Sequence, residues 1–250
     1  MRIILVLMFL LSWQSAMAAP TDDTSEANAK ALINKMEELY RGASSKATIT
    51  MRIETPQYQR SLEMQAMSIG TRQTFIRILS PRKDRGIATL KLDNEMWNYF
   101  PKINKVIKIP PSMMMGSWMG SDFTNDDLVK ETTLTKEYKL SMTETDNQYT
   151  VTLVPKQDTV TVWGKIEYVI NKSPLVPVSE SFYDDAGAKI RVLTFKDPKD
   201  FSGRVLPSVL EMVPLNKKGH RTLVTYDTLG FNPPDVKPED FSLRNLTSRF

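Results

Sequence analysis

The chain contains no cysteine and one histidine, His220, among its 250 residues. Without thiols there can be no disulfide, no thiol nucleophile and no lipid anchor on an N-terminal cysteine. The one imidazole follows a turn, in Gly219-His220-Arg221, and reads as a loop residue at a strand entrance rather than a general base. Nucleophile-elbow, phosphate-loop and zinc spacings are missing, so the sequence predicts a protein that is not an enzyme and carries no cofactor or metal. Asp122, Asp126 and Asp127 lie close together but lack the regular spacing and terminal glutamate of a calcium loop. They read as carboxylates at the start of a helix. Charge of one sign is scarce as well: 33 Lys+Arg stand against 29 Asp+Glu, an excess too small and dispersed to predict a nucleic-acid partner. Basic stretches such as Pro81-Arg82-Lys83-Asp84-Arg85 read as solvated turns.

Long apolar runs are also absent. The longest, Ile3 to Trp13, falls short of the roughly 18–20 residues that span a bilayer. With Arg2 before it and Ala16 and Ala18 at small-residue spacing after it, residues 1–18 are expected to be a secretory signal cleaved after Ala18. The remainder, residues 19–250, shows no linker or low-complexity stretch and is expected to form one soluble, exported domain.

What is present is periodic. From Asp22 to Gly42, Ala29, Leu32, Ile33, Met36, Leu39 and Tyr40 recur at steps of three and four, with Ser25 as a candidate N-cap and Gly42 just past the end. From Lys46 the period becomes two: Ala47, Ile49, Met51 and Ile53 alternate with Thr48, Thr50, Arg52 and Glu54, as in a strand with one buried and one wet face. Twelve further stretches of this kind follow, five before residue 110 and seven after residue 137. Asp93-Asn94, Asp184 to Gly187 and Asn216 to Gly219 supply short turns between them. The fold class predicted is mostly β with some α: an incomplete antiparallel β-barrel curled around one N-terminal helix.

One segment breaks the alternation. PPSMMMGSWMGSDF, residues 110–123, holds Met113, Met114, Met115, Trp118, Met119 and Phe123, with Gly116 and Gly120 as candidate hinges. Methionine is unbranched and polarisable, so it fills irregular space and re-packs around different partners. Three readings stay open here: a plug for an ordinary core, a lid over an apolar cavity, or a soft-metal site built on thioethers. Under the second, the cavity would be lined by Ile49, Met51, Ile53, Met64, Trp97 and Tyr99. Each aromatic can equally be plain core. Thr124, three residues before Asp127, marks a short helix after the segment.

The stretches LKLDNEMWNYFPKINKVIKI and GKIEYVINKSPLVPVSESFYDDAGAKIRVLTF resemble periplasmic lipoprotein carriers of the LolA type. MGSDFTNDDLV is similar to the branch of that superfamily called outer membrane lipoprotein-sorting proteins. The resemblance runs through nearly all of residues 19–250. It implies a LolA-like incomplete barrel in the periplasm, whose apolar interior accepts the acyl chains of a lipoprotein or other lipid and shuttles them towards the outer membrane. An arginine on an early strand latches the lid in such carriers; Arg72 is the matching candidate, with Arg77 nearby. The implied partners are lipid, an inner-membrane exporter of the RND type and an outer-membrane acceptor. A sensor or adaptor of the same fold, working with such an exporter, is the alternative.

Overall fold

Alternation dictates strands, and the chain forms thirteen of them in one antiparallel sheet. The computed structural model describes residues 22–130 and 134–248; the expected signal segment, residues 1–18, lies outside the described residues. Helix α1 (Asp22–Glu38) leads into β1 (Ser44–Glu54), β2 (Gln59–Ile69), β3 (Gln73–Ser80), β4 (Ala88–Leu92), β5 (Glu95–Phe100) and β6 (Lys105–Lys108). Two short helices, α2 (Asn125–Lys130) and α3 (Leu134–Glu137), precede β7 (Tyr138–Glu144). Then come β8 (Gln148–Pro155), β9 (Lys165–Lys172), β10 (Leu175–Tyr183), β11 (Lys189–Phe201), β12 (Arg204–Pro214), β13 (Arg221–Phe231) and a terminal turn of helix, α4 (Leu243–Leu246).

The spatial order is β6-β5-β4-β3-β2-β1-β13-β12-β11-β10-β9-β8-β7. Pairing of β1 with β13 joins the two meanders, while β6 and β7 remain as the edges of a sheet that does not close. The connection between those edges is residues 109–137, which include the methionine segment.

The inner face follows from strand parity. On β1 it carries Ala47, Ile49, Met51 and Ile53, all buried, while Arg52 between them is exposed. Helix α1 covers the β7 end of that face, where Ala29, Ile33 and Met36 join one apolar cluster with Tyr138, Leu140, Val151 and Ile170. The turn that follows the helix reaches the middle of the sheet. There Tyr40 stacks on Tyr226 of β13 at 5.0 Å and donates its hydroxyl to Pro207 O at 2.7 Å.

The outer face is dry where the C-terminal segment crosses it. Phe241 and Leu246 pack on Phe75, Ala88, Leu90 and Tyr99. Arg77 fixes the segment by donating to Asn245 O (2.7 Å) and Ser248 O (3.2 Å), carbonyls at and just past the end of α4. Burial pulls the Arg77 pKa below the usual guanidinium value, yet an arginine stays cationic in a protein.

Local differences from the sequence expectation have local causes. Helix α1 starts at Asp22, so Ser25 is inside it rather than capping it. Strand β9 starts at Lys165 rather than Val162, because Gly164 presses against the β10–β11 turn: a Cβ there would stand 2.7 Å from Asp184 O.

Leu62 of β2 pairs in register with Met51 and is fully buried. Leu62→Ala should lower the unfolding free energy by about 2–5 kcal/mol, read from the urea midpoint at unchanged slope. A loss under about 1 kcal/mol would mean that this part of the sheet is loosely packed.

Candidate functional site

Two small residues face each other at the centre of the concave face, Ala47 on β1 and Ala66 on β2. Around them a cavity of about 250 Å³ remains. Its walls are Met36 of α1 and Tyr40 in the turn after it, Ile49, Met64 and Ile76 on one half of the sheet, and Ile166, Tyr168, Phe182, Leu193, Met212 and Tyr226 on the other. Trp118, Phe123 and Leu128 line it from the cover. Tyr138 lines it too, and burial pushes its phenol pKa up, keeping it neutral. The volume sits just below the range of about 300–1,000 Å³ found for small-molecule pockets. The cover is therefore closed down on a space that a bulky ligand would have to enlarge.

The cover is the β6–β7 connection, held to successive strands by polar contacts. Trp118 is buried and its indole N–H donates to Thr89 of β4 (3.1 Å). Arg60 of β2 donates to Met119 O (3.0 Å) and pairs with Asp84 (3.0 Å). Asp122 meets Thr222 of β13 twice: its N–H donates to the Thr222 hydroxyl (3.0 Å), which donates to its carboxylate (2.8 Å). His220 Nδ1 lies 3.8 Å from the other oxygen of that carboxylate. Finally, Arg191 of β11 grips Asp127 through both guanidinium nitrogens, at 2.8 and 2.5 Å, between the rings of Trp163 and Phe182.

Local chemistry shapes the segment. Thr124 and Asp127 cap α2 reciprocally: Asp127 N–H donates to the Thr124 hydroxyl (3.2 Å), and Thr124 N–H donates to the Asp127 carboxylate (2.7 Å). Gly120 takes φ +79°, which favours glycine. Gly116 is required by space instead, since a Cβ there would lie 3.0 Å from Met113 O. Both glycines are thus held in tight turns of the cover.

The structure divides the candidate residues. Of the six on the cover, Trp118 and Phe123 face the cavity; Met114 and Met119 are half-buried against the cluster of Met51, Ile53 and Met64; Met113 and Met115 are exposed. Of the six wall candidates, Ile49 and Met64 line the cavity. Met51 and Ile53 sit in the packed cluster where the cover itself fills the hollow. Trp97 and Tyr99 point to the outer face, under the C-terminal segment, because the inward residues of β5 are its neighbours Met96 and Asn98. Arg72 is no latch in this structure: it pairs with Asp93 (2.6 Å) across the β2–β3 and β4–β5 turns and is largely exposed. Arg60 and Arg191 do touch the cover. Arg191 carried a usable signal, a basic residue at an inward position of an alternating strand, in step with the buried Leu193.

Arg191→Met leaves the largely buried Asp127 carboxylate without its cation and should cost about 3–5 kcal/mol in unfolding free energy. Adding Asp127→Leu in the same chain should return most of that loss. A double-mutant cycle by chemical unfolding measures both, and additive losses would show that the two side chains do not interact.

Known structures share this architecture. A domain described as an outer membrane lipoprotein-sorting protein, from Vibrio parahaemolyticus, superposes with a TM-score of 0.77 at 20% identity, covering 91% of this chain and 100% of its own. A LolA superfamily protein from Nitrosomonas europaea gives 0.70 at 18% identity, covering 87% and 98%. A DUF1329 family protein from Desulfovibrio piger gives 0.77 at 18% identity, covering 89% and 99%. No curated protein matches the sequence. The family model described as "-like: Uncharacterized protein" matches residues 70–248. The chain therefore belongs to that family, and its fold is the open, LolA-like barrel of the lipoprotein-sorting structures.

Proposed function

We propose that the protein is a periplasmic carrier, one domain over residues 19–250, that takes acyl chains of a lipoprotein or lipid into its cavity and conveys them towards the outer membrane. The observation that carries this reading is the apolar hollow of about 250 Å³ between the concave face, α1 and the methionine-bearing cover. Similarity to a domain described as lipoprotein-sorting supports it. The role is binding rather than catalysis: most of the side chains around the hollow are aliphatic or aromatic, and the one imidazole faces Asp122 of the cover. Among the described residues no helix is long and apolar enough to cross a membrane, which fits a shuttle.

The energetics favour assisted delivery. Burying an acyl chain contributes about 0.8 kcal/mol per methylene, so sixteen carbons give roughly 12 kcal/mol before ordering costs. Such a ligand leaves slowly unless an acceptor binds it better or the cover refolds into the vacated space. Trp118, Met114 and Met119, already seated against one end of the hollow, suit the second route.

A second reading, a sensor or adaptor working with an RND-type exporter, draws on a different observation. All four residues of the edge strand β6 are exposed, Val106 and Ile107 among them, beside the exposed Met113 and Met115. A free sheet edge that presents apolar residues between lysines is a site for strand addition by a partner.

Protein purified without detergent and extracted into organic solvent should yield bound lipid by mass spectrometry, and the stripped protein should take up a fluorescent fatty acid. Recovery of no lipid together with no uptake would refute the carrier. Copurification of a stoichiometric protein in place of lipid would favour the adaptor. Ala66→Phe, which projects a ring into the hollow, should reduce probe affinity at least about tenfold, some 1.4 kcal/mol, with little change in melting temperature.

A further inference from the structure

Hairpin turns fall at two ends of the sheet, and the two ends differ in charge. The turns β1–β2 (55–58), β3–β4 (81–87), β5–β6 (101–104) and β12–β13 (215–220) share the end where β1 finishes and β13 begins, since Glu54 pairs in register with Arg221. They follow one another along the strand order from β6 to β12, two strands or about 10 Å apart. Together they hold Arg82, Lys83, Arg85, Lys102, Lys217 and Lys218 against one carboxylate, Asp84. Asp84 pairs with Arg60 (3.0 Å), and Glu54 at the same rim pairs with Arg221 (2.6 Å). The other ends of these strands close through the turns 70–72, 93–94 and 202–203, where the charges are Arg72 and Asp93, paired to each other.

Apolar side chains stand among these cations. Tyr58, Ile103 and Leu215, one on each of three of the turns, are between 50% and 60% exposed. Arg82, Lys83, Lys102, Lys217 and Lys218 are exposed beside them. The cover is fastened at the same end, to Arg60 at the start of β2 and Thr222 at the start of β13, and it exposes Met113 and Met115. Its Asp122 is largely buried against Thr222 and His220. Past β12 the basic run ends, for the β10–β11 turn carries Asp184 and Asp185. Apolar residues spaced along a rim make no continuous core for a protein interface, but each can enter the head-group boundary of a bilayer by itself while neighbouring cations meet phosphates.

We infer that this rim is a docking surface for an anionic phospholipid bilayer. Its lysines and arginines meet lipid phosphates, and Tyr58, Ile103 and Leu215 enter the boundary between head groups and acyl chains. Docking stands apart from the carrier reading; where both hold, it brings the cover up against the lipid that gives or receives an acyl chain. Each cation near an anionic surface raises partitioning about fivefold. The attraction fades within a Debye length, about 10 Å in 0.1 M salt, so cations on the rim act together. Those at the opposite end do not contribute: Lys35 is in the last turn of α1, just before β1, and Lys237 follows Asp235, which pairs with Lys46 at the start of β1.

The test floats the full chain with vesicles of phosphatidylglycerol and phosphatidylethanolamine, and separately with vesicles of phosphatidylcholine. Partitioning should be at least about tenfold stronger on the anionic vesicles and should fall about tenfold as salt rises from about 0.05 to about 0.5 M. Lys102→Glu with Lys217→Glu should weaken it at least about twentyfold. Ile103→Ser with Leu215→Ser should weaken it at least about fivefold and leave its salt dependence unchanged. Lys35→Glu with Lys237→Glu makes the same change in net charge at the opposite end and should stay within about twofold of the parent. All of these positions are exposed, so melting temperatures should hold. Uptake of a fluorescent fatty acid should be equal in every variant; uptake by none, with docking intact, would remove the carrier alone. Equal loss in the two lysine pairs would show attraction by net charge only and overturn the rim, as would equal binding to both kinds of vesicle. Binding to neither kind overturns the bilayer as partner and turns the search to an acidic protein.

Discussion

A curved sheet must bury its inner face, and here that face is too large for the helix that accompanies it. Helix α1 has 17 residues, about 25 Å of length at 1.5 Å per residue, while the concave surface is shared by nearly all of thirteen strands. The helix takes the β7 end. Everything else about the site follows from how the remainder is handled. The two edge strands, β6 and β7, are consecutive in sequence yet lie at opposite ends of the sheet, so the chain between them has to cross the open side. Topology thus places the methionine segment over the hollow, and composition determines what it does there.

The segment behaves as both plug and lid. Its apolar contacts are concentrated in Trp118, Met114 and Met119, which fill one end against Met51 and Ile53. Its positions along β4, β2, β13 and β11 are fixed by polar groups instead. That division matters because apolar packing is non-directional and methionine adapts its shape, whereas a bidentate guanidinium–carboxylate pair specifies geometry. A cover held mainly by a few directional contacts can part at those contacts and re-form in register. Met113 and Met115, left outside, add nothing to closure.

Much of this was legible in the residues. Period-two alternation located all thirteen strands, and helix α1 and the capped start of α2 were readable from spacing and from Thr124 and Asp127. What escaped was facing and partnership. Strands β4 and β5 are covered on both sides, by the hollow and by the C-terminal segment, so alternation vanishes: Ala88, Thr89, Leu90 and Lys91 are all buried. With no wet face to orient them, Trp97 and Tyr99 pass for inward residues although a shift of one position reverses the side. The C-terminal segment has too little periodic structure to announce itself, and it is what makes the outer face dry. Arg72 fits a latch by position along the chain, but its nearest carboxylate is Asp93, brought to it by two adjoining hairpin turns. The basic rim needs the strand order before Arg82, Lys83, Lys102, Lys217 and Lys218 fall at one end of the sheet. Taken singly each is a charged residue in a solvated turn.

Under the proposed carrier function, the closed cavity and the size of an acyl chain together constrain how the cycle would run. A ligand shifts a conformational equilibrium only by its difference in affinity for the two states. A chain too large for about 250 Å³ binds the open cover better than the closed one, and each methylene it buries adds to that difference. The cover in turn regains its own buried surface when the chain departs, so loading and closure compete for the same apolar wall. Since the competing groups are flexible methionines and one tryptophan rather than a rigid, complementary insert, neither outcome is overwhelmingly preferred. An acceptor then needs only a modest further advantage to empty the hollow.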